Sequence, residues 1–187
     1  MRDQQLIDRF VEVAKGAGAV IEPVESIVAA VEYLAHQVSG TLLLPSFASG
    51  ERYDIAGALR AAGINVVTED FRGAADQAEA GLTGVNFAIA DTGSLALEST
   101  DEDIRLATTL PVKHFVLLDP EKIVADGLEA IKPMRQMHER SPRNYIAYIT
   151  GPSRTADIER VLTIGVHGPK ELYILLIPGL SDDFLEM

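Results

Sequence analysis

The chain has 187 residues, 47% of them apolar, which is enough to bury one complete core, so a single domain over residues 1–187 is expected. It carries 28 acidic against 16 basic residues, a formal charge of −12, and this excludes the basic footprint that a nucleic-acid partner needs. It contains no cysteine, so these residues offer no disulfide framework, no thiolate zinc site and no cysteine ligation of an iron–sulfur cluster.

In chain order, residues 4–15 place Leu6, Ile7, Phe10, Val11 and Ala14 on one helical face. Arg2, Asp3, Asp8, Arg9, Glu12 and Lys15 interrupt that stretch, unlike the apolar core of a secretion signal, so export is not expected. A strand-like run at 19–21 precedes a second amphipathic helix over 25–37, with Ile27, Val28, Val31 and Leu34 aligned. A strand at 41–44 leads into Pro45-Ser46-Phe47-Ala48-Ser49-Gly50 and a helix over 51–61, and a strand at 64–68 leads into Glu69-Asp70. These two loops suit the walls of a crevice, with Ser46 and Ser49 as caps and the acidic pair solvated.

Runs at 85–90 and 94–98 are separated so closely around Thr92-Gly93 that a tight antiparallel hairpin is predicted. A helix over 103–109, a strand at 112–118, a helix over 122–136, a strand at 145–149, a helix over 156–162 and a strand at 172–177 complete the chain. Lys132, Arg135, Arg140 and Arg143, with His138 among them, read either as a solvated helix face or as a basic rim that guides a small anion or an acidic surface. No stretch approaches the roughly eighteen uninterrupted apolar residues of a membrane span, so a soluble, cytoplasmic protein is expected. The alternation of strand and helix predicts an open, largely parallel sheet covered on both faces, a three-layer αβα sandwich of the α/β class.

Residues 150–170 concentrate polar and basic side chains on turns between apolar segments. Gly151-Pro152 ends a strand, and Ser153 or Thr155 is placed to cap a helix starting near Ala156. The N–H groups of such a start attract an anion and Arg154 adds a charged fork; the plainer reading is an ordinary capped loop. Asp91 and Thr92 would lie at the carboxyl end of a strand, where open α/β sheets bind ligands, unless Gly93 and its neighbours serve only the turn. His167 reads as a turn histidine bonded to backbone or as a base. If 156–162 is a crossover helix, the Ser153–Arg154 and His167–Gly168 turns lie at opposite sheet edges, whereas a displaced helix or a neighbouring subunit would bring them together. His36, His114 and His138 occupy unrelated positions, so no histidine metal site is expected. Phosphate-loop, dinucleotide-fingerprint, nucleophile-elbow and zinc-helix motifs are absent. Asp91, Arg154 and His167 offer an acid, a cation and a base, without showing that they converge.

Gly151-Pro152-Ser153-Arg154-Thr155-Ala156-Asp157-Ile158-Glu159 followed by Gly165-Val166-His167-Gly168-Pro169 resembles the LUD-domain family, that of lactate utilization protein C. Ala88-Ile89-Ala90-Asp91-Thr92-Gly93-Ser94-Leu95 resembles its second signature, with Asp91 where the family more often has Glu. Arg105-Leu106 and the run from Pro111 to Val116 keep the family's spacing between them, and the likeness is best over residues 80–178. The resemblance implies the fold shared by sugar-phosphate isomerases and CoA transferases (the NagB/RpiA/CoA transferase-like fold). It implies an accessory role in oxidation of L-lactate to pyruvate, beside separate cysteine-rich iron–sulfur proteins that hold the clusters, with no cofactor and no metal in this chain. Asp91 and His167 are then the catalytic candidates, and Thr92, Gly93, Gly151, Ser153, Arg154 and Thr155 the ligand-binding ones. An independent enzyme or binding module for a small organic anion, a sugar phosphate or a CoA ester is the alternative, and a homo-oligomer is compatible with both.

Overall fold

The computed structural model describes residues 3–156 and 162–187. In chain order the helices are α1 (Gln4–Gly16), α2 (Ile27–Gln37), α3 (Ala48–Arg52), α4 (Ile55–Ala61), α5 (Phe71–Ala74), α6 (Glu102–Thr109) and α7 (Ile131–Arg140). The strands are β1 (Val20–Pro23), β2 (Thr41–Leu43), β3 (Asn65–Val67), β4 (Ala80–Thr83), β5 (Phe87–Ile89), β6 (Ser94–Glu98), β7 (Lys113–Leu118), β8 (Ile123–Val124), β9 (Ile146–Ile149), β10 (Arg154–Thr155), β11 (Thr163–Ile164) and β12 (Glu171–Leu176).

Six strands form one sheet in the order β1-β12-β7-β4-β2-β3, and every pairing in it is parallel. The predicted α/β class with a largely parallel sheet flanked by helices is what folds. Its centre follows the two-residue period of a strand buried on both faces. Phe115, Leu117, Leu175 and Ile177 join the core beneath α2 and α4, whereas Val116, Leu118, Leu172, Ile174 and Leu176 face the opposite way. Phe115 stacks on Tyr173 across the β7–β12 pair, with ring centroids 4.6 Å apart.

The second face meets α1, through Phe10 and Ala14, and a smaller four-stranded sheet in the order β8-β5-β6-β9. Ala88, Ala90, Leu95 and Leu97 of that sheet pack on Val116, Leu118 and Ile174. The predicted hairpin is present: β5 pairs antiparallel with β6, from Ile89 opposite Ser94 to Phe87 opposite Ala96. Local chemistry starts the helices as the sequence suggests, for Asp3 accepts from the Gln5 N–H at 3.1 Å and Ser26 from the Ala29 N–H at 3.2 Å.

Several boundaries differ from the sequence reading. The helix expected over 51–61 breaks into α3 and α4 at Asp54, which has φ 45° and accepts from the Gly57 N–H as the cap of α4. The helix expected over 122–136 begins only at Ile131, because Ile123–Val124 pairs in parallel with β5 instead. Strand β4 was not predicted: Ala80-Gly81-Leu82-Thr83 has low β propensity, and only its place between β2 and β7 makes it a strand. The helix expected over 156–162 falls mainly on 157–161, outside the described residues. On its two flanks β10 and β11 pair antiparallel, so Thr155 sits opposite Thr163 in a ladder rather than at a helix cap.

Gly81 tests how tightly α6 lies on the sheet. A Cβ at this position would collide with the Ala107 carbonyl oxygen and lie 3.2 Å from the Ala107 Cα, both main-chain atoms. Gly81→Ala is expected to destabilise the protein by about 1–3 kcal/mol, as overpacking does, by forcing α6 away from β4. Urea unfolding of the variant beside Gly127→Ala, where a Cβ meets nothing within 4 Å, checks this.

Candidate functional site

A cleft of about 340 Å³ opens at the amino ends of β7 and β12, where the large sheet meets the smaller one. Its floor is His114 and Leu172, the second residues of those strands, and its walls are the end of α6 at Thr108 and Thr109, the segment Ala147–Arg154, and the turn His167–Pro169. The Ser153 N–H donates to the Pro169 carbonyl at 2.9 Å and the Gly165 N–H to the Ser153 carbonyl at 2.9 Å. These main-chain bonds hold the 151–154 and 165–169 turns side by side.

Gly151 makes the approach of the first turn to α1 feasible. It has φ +67°, and a Cβ there would strike the Ala17 carbonyl oxygen. Arg154 donates from Nη2 to that same Ala17 carbonyl, so its guanidinium is anchored over the cleft mouth with further donors to spare. Thr150 exchanges a 2.7 Å hydrogen bond with the buried Ser94. Arg154 and His167 are exposed, and Ser153 is half-buried.

Four of the sequence-predicted residues, Gly151, Ser153, Arg154 and His167, therefore line one cleft. The opposite-edge arrangement contemplated for the two turns does not occur, because antiparallel pairing of β10 with β11 returns the chain to the same edge. The Ser153 N–H is engaged with Pro169, and Arg154 and side-chain hydroxyls supply polar surface to the cleft; the N–H groups of the helix expected from Ala156 fall mainly on 157–161, outside the described residues. Thr155 lies next to this surface in β10.

Asp91, Thr92 and Gly93 do not join it. They form the β5–β6 turn, where Asp91 pairs with Arg9 at 2.8 Å on the protein surface. Gly93, at φ +61°, lets that turn press on the backbone of Val13 and Ala14. The three candidates Asp91, Arg154 and His167 thus divide into a surface ion pair and a cleft.

Two features were missed by the sequence reading. His114 was set aside as unrelated to the other histidines, yet it lies in the cleft with His167. It is fully buried, exchanges a 3.0 Å hydrogen bond with Thr83, and burial pushes its pKa down to about 3. The signal available was its position at the start of an apolar strand, which leaves a polar ring facing an edge. The second feature is a buried ion pair at the other edge of the sheet, Lys122 with Glu186 at 3.3 Å, both side chains fully inaccessible. Burial lowers the Lys122 pKa against the pull of Glu186. Burial works to raise Glu186, but Lys122, the hydroxyls of Ser49 and Ser181 and the Ser49 N–H hold it below the ordinary carboxylate value. Nothing in the local sequence marks a lysine for burial.

Among the described residues no group of three or more histidine or acidic side chains is placed to hold a metal ion, and no helix is long and apolar enough to cross a membrane.

Residues 1–177 match the family model described as the LUD domain. An uncharacterized protein of Neisseria meningitidis serogroup B is 38% identical over 99 residues, which is 53% of this chain and 42% of that protein. Lactate utilization protein C of Anoxybacillus flavithermus is 36% identical over 104 residues, 55% of this chain and 46% of that protein. The chain thus spans less than half the length of these curated relatives. The crystal structure of a DUF162 family protein from Deinococcus radiodurans has the same fold, with a TM-score of 0.68 at 18% identity over 95% of this chain and 99% of that one.

The buried His114 makes stability depend on pH. In the unfolded chain it takes up a proton near its ordinary value of 6.5, but in the folded protein only near 3. Between these values the unfolded state binds more protons, so stability falls as the pH drops through that window, at up to about 1.4 kcal/mol per pH unit. His114→Gln is expected to flatten this acid limb between pH 6 and pH 4 in chemical denaturation curves. An unchanged slope would mean that the acid sensitivity lies with the carboxylates.

Proposed function

Because the chain belongs to the LUD domain family, we propose that it serves lactate utilization by holding a small organic anion in the cleft beneath Arg154 and His167. One observation carries the reading: the protein has 28 acidic side chains, yet among the described residues no carboxylate lines this cleft, whereas Arg154 does. Its remaining polar surface is hydroxyl and imidazole, from Thr109, Thr150, Ser153 and His167, which suits a carboxylate bearing a neighbouring hydroxyl or carbonyl group. L-Lactate and pyruvate have that chemistry. The name carried by its relative from Anoxybacillus flavithermus supports the same substrate class.

Oxidation of lactate to pyruvate removes a pair of electrons together with protons, and these must be accepted elsewhere. The 187 residues contain no cysteine to ligate an iron–sulfur cluster, so such clusters do not fit this chain and belong in our reading to separate cysteine-rich proteins acting beside it. With Asp91 paired to Arg9 away from the cleft, the residues that do line it offer binding and orientation. The role of the chain is accordingly that of a non-redox partner.

Calorimetric titration of L-lactate and pyruvate into wild type, Arg154→Ala, Arg154→Lys and His167→Ala is the direct check. Arg154→Ala is expected to weaken binding about tenfold or more, Arg154→Lys to recover part of the loss because the ammonium lacks the planar fork, and added salt to weaken wild-type binding. Equal affinity in all four proteins would overturn the assignment of this cleft. Affinity capture from lactate-grown cells is expected to return cysteine-rich iron–sulfur proteins, and their absence would overturn the partner assignment alone.

A further inference from the structure

At the carboxyl edge of the large sheet, three loops converge on one side chain that comes from far along the chain. Ser49 follows β2, Val85 follows β4 and Lys122 follows β7. Lys122 Nζ donates to the Val85 carbonyl at 2.7 Å and lies 3.3 Å from Glu186 Oε2, while the Ser49 N–H donates to Glu186 Oε1 at 2.8 Å. The Ser49 hydroxyl is completely buried beside this carboxylate and helps to hold its charged form. A buried ammonium left without a counter-charge costs several kcal/mol, so the cradle requires an anion.

We propose that this cradle is a binding site for a small monocarboxylic acid, occupied in the present state by the chain's own 181–187 segment, whose Glu186 stands in for the ligand. The segment lies over the edge as a strap. Asp182 and Asp183 are exposed, Phe184, Leu185 and Met187 are half-buried, and Glu186 alone between them is fully inserted. Its other ties from Phe184 onward are to main-chain carbonyls: Asn86 donates to Phe184, Arg140 to Leu185 and the Ala48 N–H to Glu186, at 2.7, 3.1 and 2.9 Å. Such bonds specify a path for the strap, whereas the inserted carboxylate specifies the chemistry of the site.

Two clefts near this edge offer room for the rest of a ligand. One cleft of about 230 Å³ is lined by Pro45, Ser46, Phe47, Glu51 and Asp54. Another of about 300 Å³ shares Ser46 and has Leu185 and Met187 of the strap in its wall. Glu51 and Asp54 in the first oppose any further negative charge, and in the second Glu98 and Asp101 outnumber Arg140, which favours an acid with one carboxylate and a neutral remainder. The position agrees with the general tendency of open α/β sheets to take ligands beyond the carboxyl ends of their strands. This site is separate from the Arg154 cleft and does not depend on its assignment.

Acetate serves as the probe, with chloride at equal ionic strength as the control. Glu186→Ala is expected to lower the melting temperature, and acetate to raise it again in a saturable manner that chloride does not match. Adding Lys122→Met in the same chain is expected to remove the acetate response. Should Glu186→Ala not fold, Glu186→Gln, which keeps the shape without the charge, carries the measurement: acetate is expected to speed chymotryptic cleavage after Phe184 at concentrations lower than wild type requires. If acetate acts no differently from chloride on whichever of these variants folds, or if the response survives loss of Lys122, the carboxylate site is overturned.

Discussion

Strands β7 and β12 carry apolar side chains on both faces, so each face must be covered, and the two covers are different. Helices α2 and α4 seal one side. The other is closed by α1 together with a second sheet. A sheet laid on a sheet leaves seams at its margins that helices alone would fill. The cleft at the amino edge and the strapped cradle at the carboxyl edge both lie along those margins.

The two edges differ in how they treat charge. At the amino edge the cleft is open, its lining is free of carboxylates among the described residues, and it brings Arg154 and His167 together with the neutral ring of the buried His114. At the carboxyl edge the charge is enclosed, with Lys122 and Glu186 facing each other without water contact. Exposed charges are screened by salt and contribute modestly, whereas an enclosed pair is strongly coupled and is destabilising if only one member is removed. The first edge is therefore suited to exchange with solvent, and the second to a state that changes only when the strap moves.

The two turns singled out in residues 150–170 adjoin in space. Gly151, Ser153, Arg154 and His167 converge because main-chain bonds tie Ser153 to Pro169 and Gly165. Whether Asp91 shares their site was open in the sequence, and the fold sets it apart on the predicted β5–β6 hairpin. A tight turn can be read from Thr92-Gly93 alone, whereas the neighbour of its acid, Arg9, lies on the first helix and leaves no local trace. Lys122 was read as the start of a helix because its neighbours have helical character, yet pairing of Ile123–Val124 with β5 draws it under the sheet edge.

The amino-acid sequence by itself determined the class of the fold, the amphipathic helices α1 and α2, the strands β6, β7 and β12, the β5–β6 turn and the residues of the 151–169 constellation. Each of these follows from interactions among neighbours: the strand and helix periods, side-chain caps, and glycine at positive φ. Only the tertiary structure decided that β4 is a strand, that the helix over 51–61 breaks at Asp54, that His114 shares a cleft with His167, and that Glu186 meets Lys122 from 64 positions away. The physical reason is that pairing, burial and charge compensation depend on which segments become neighbours in space, and a linear pattern carries no record of that distance.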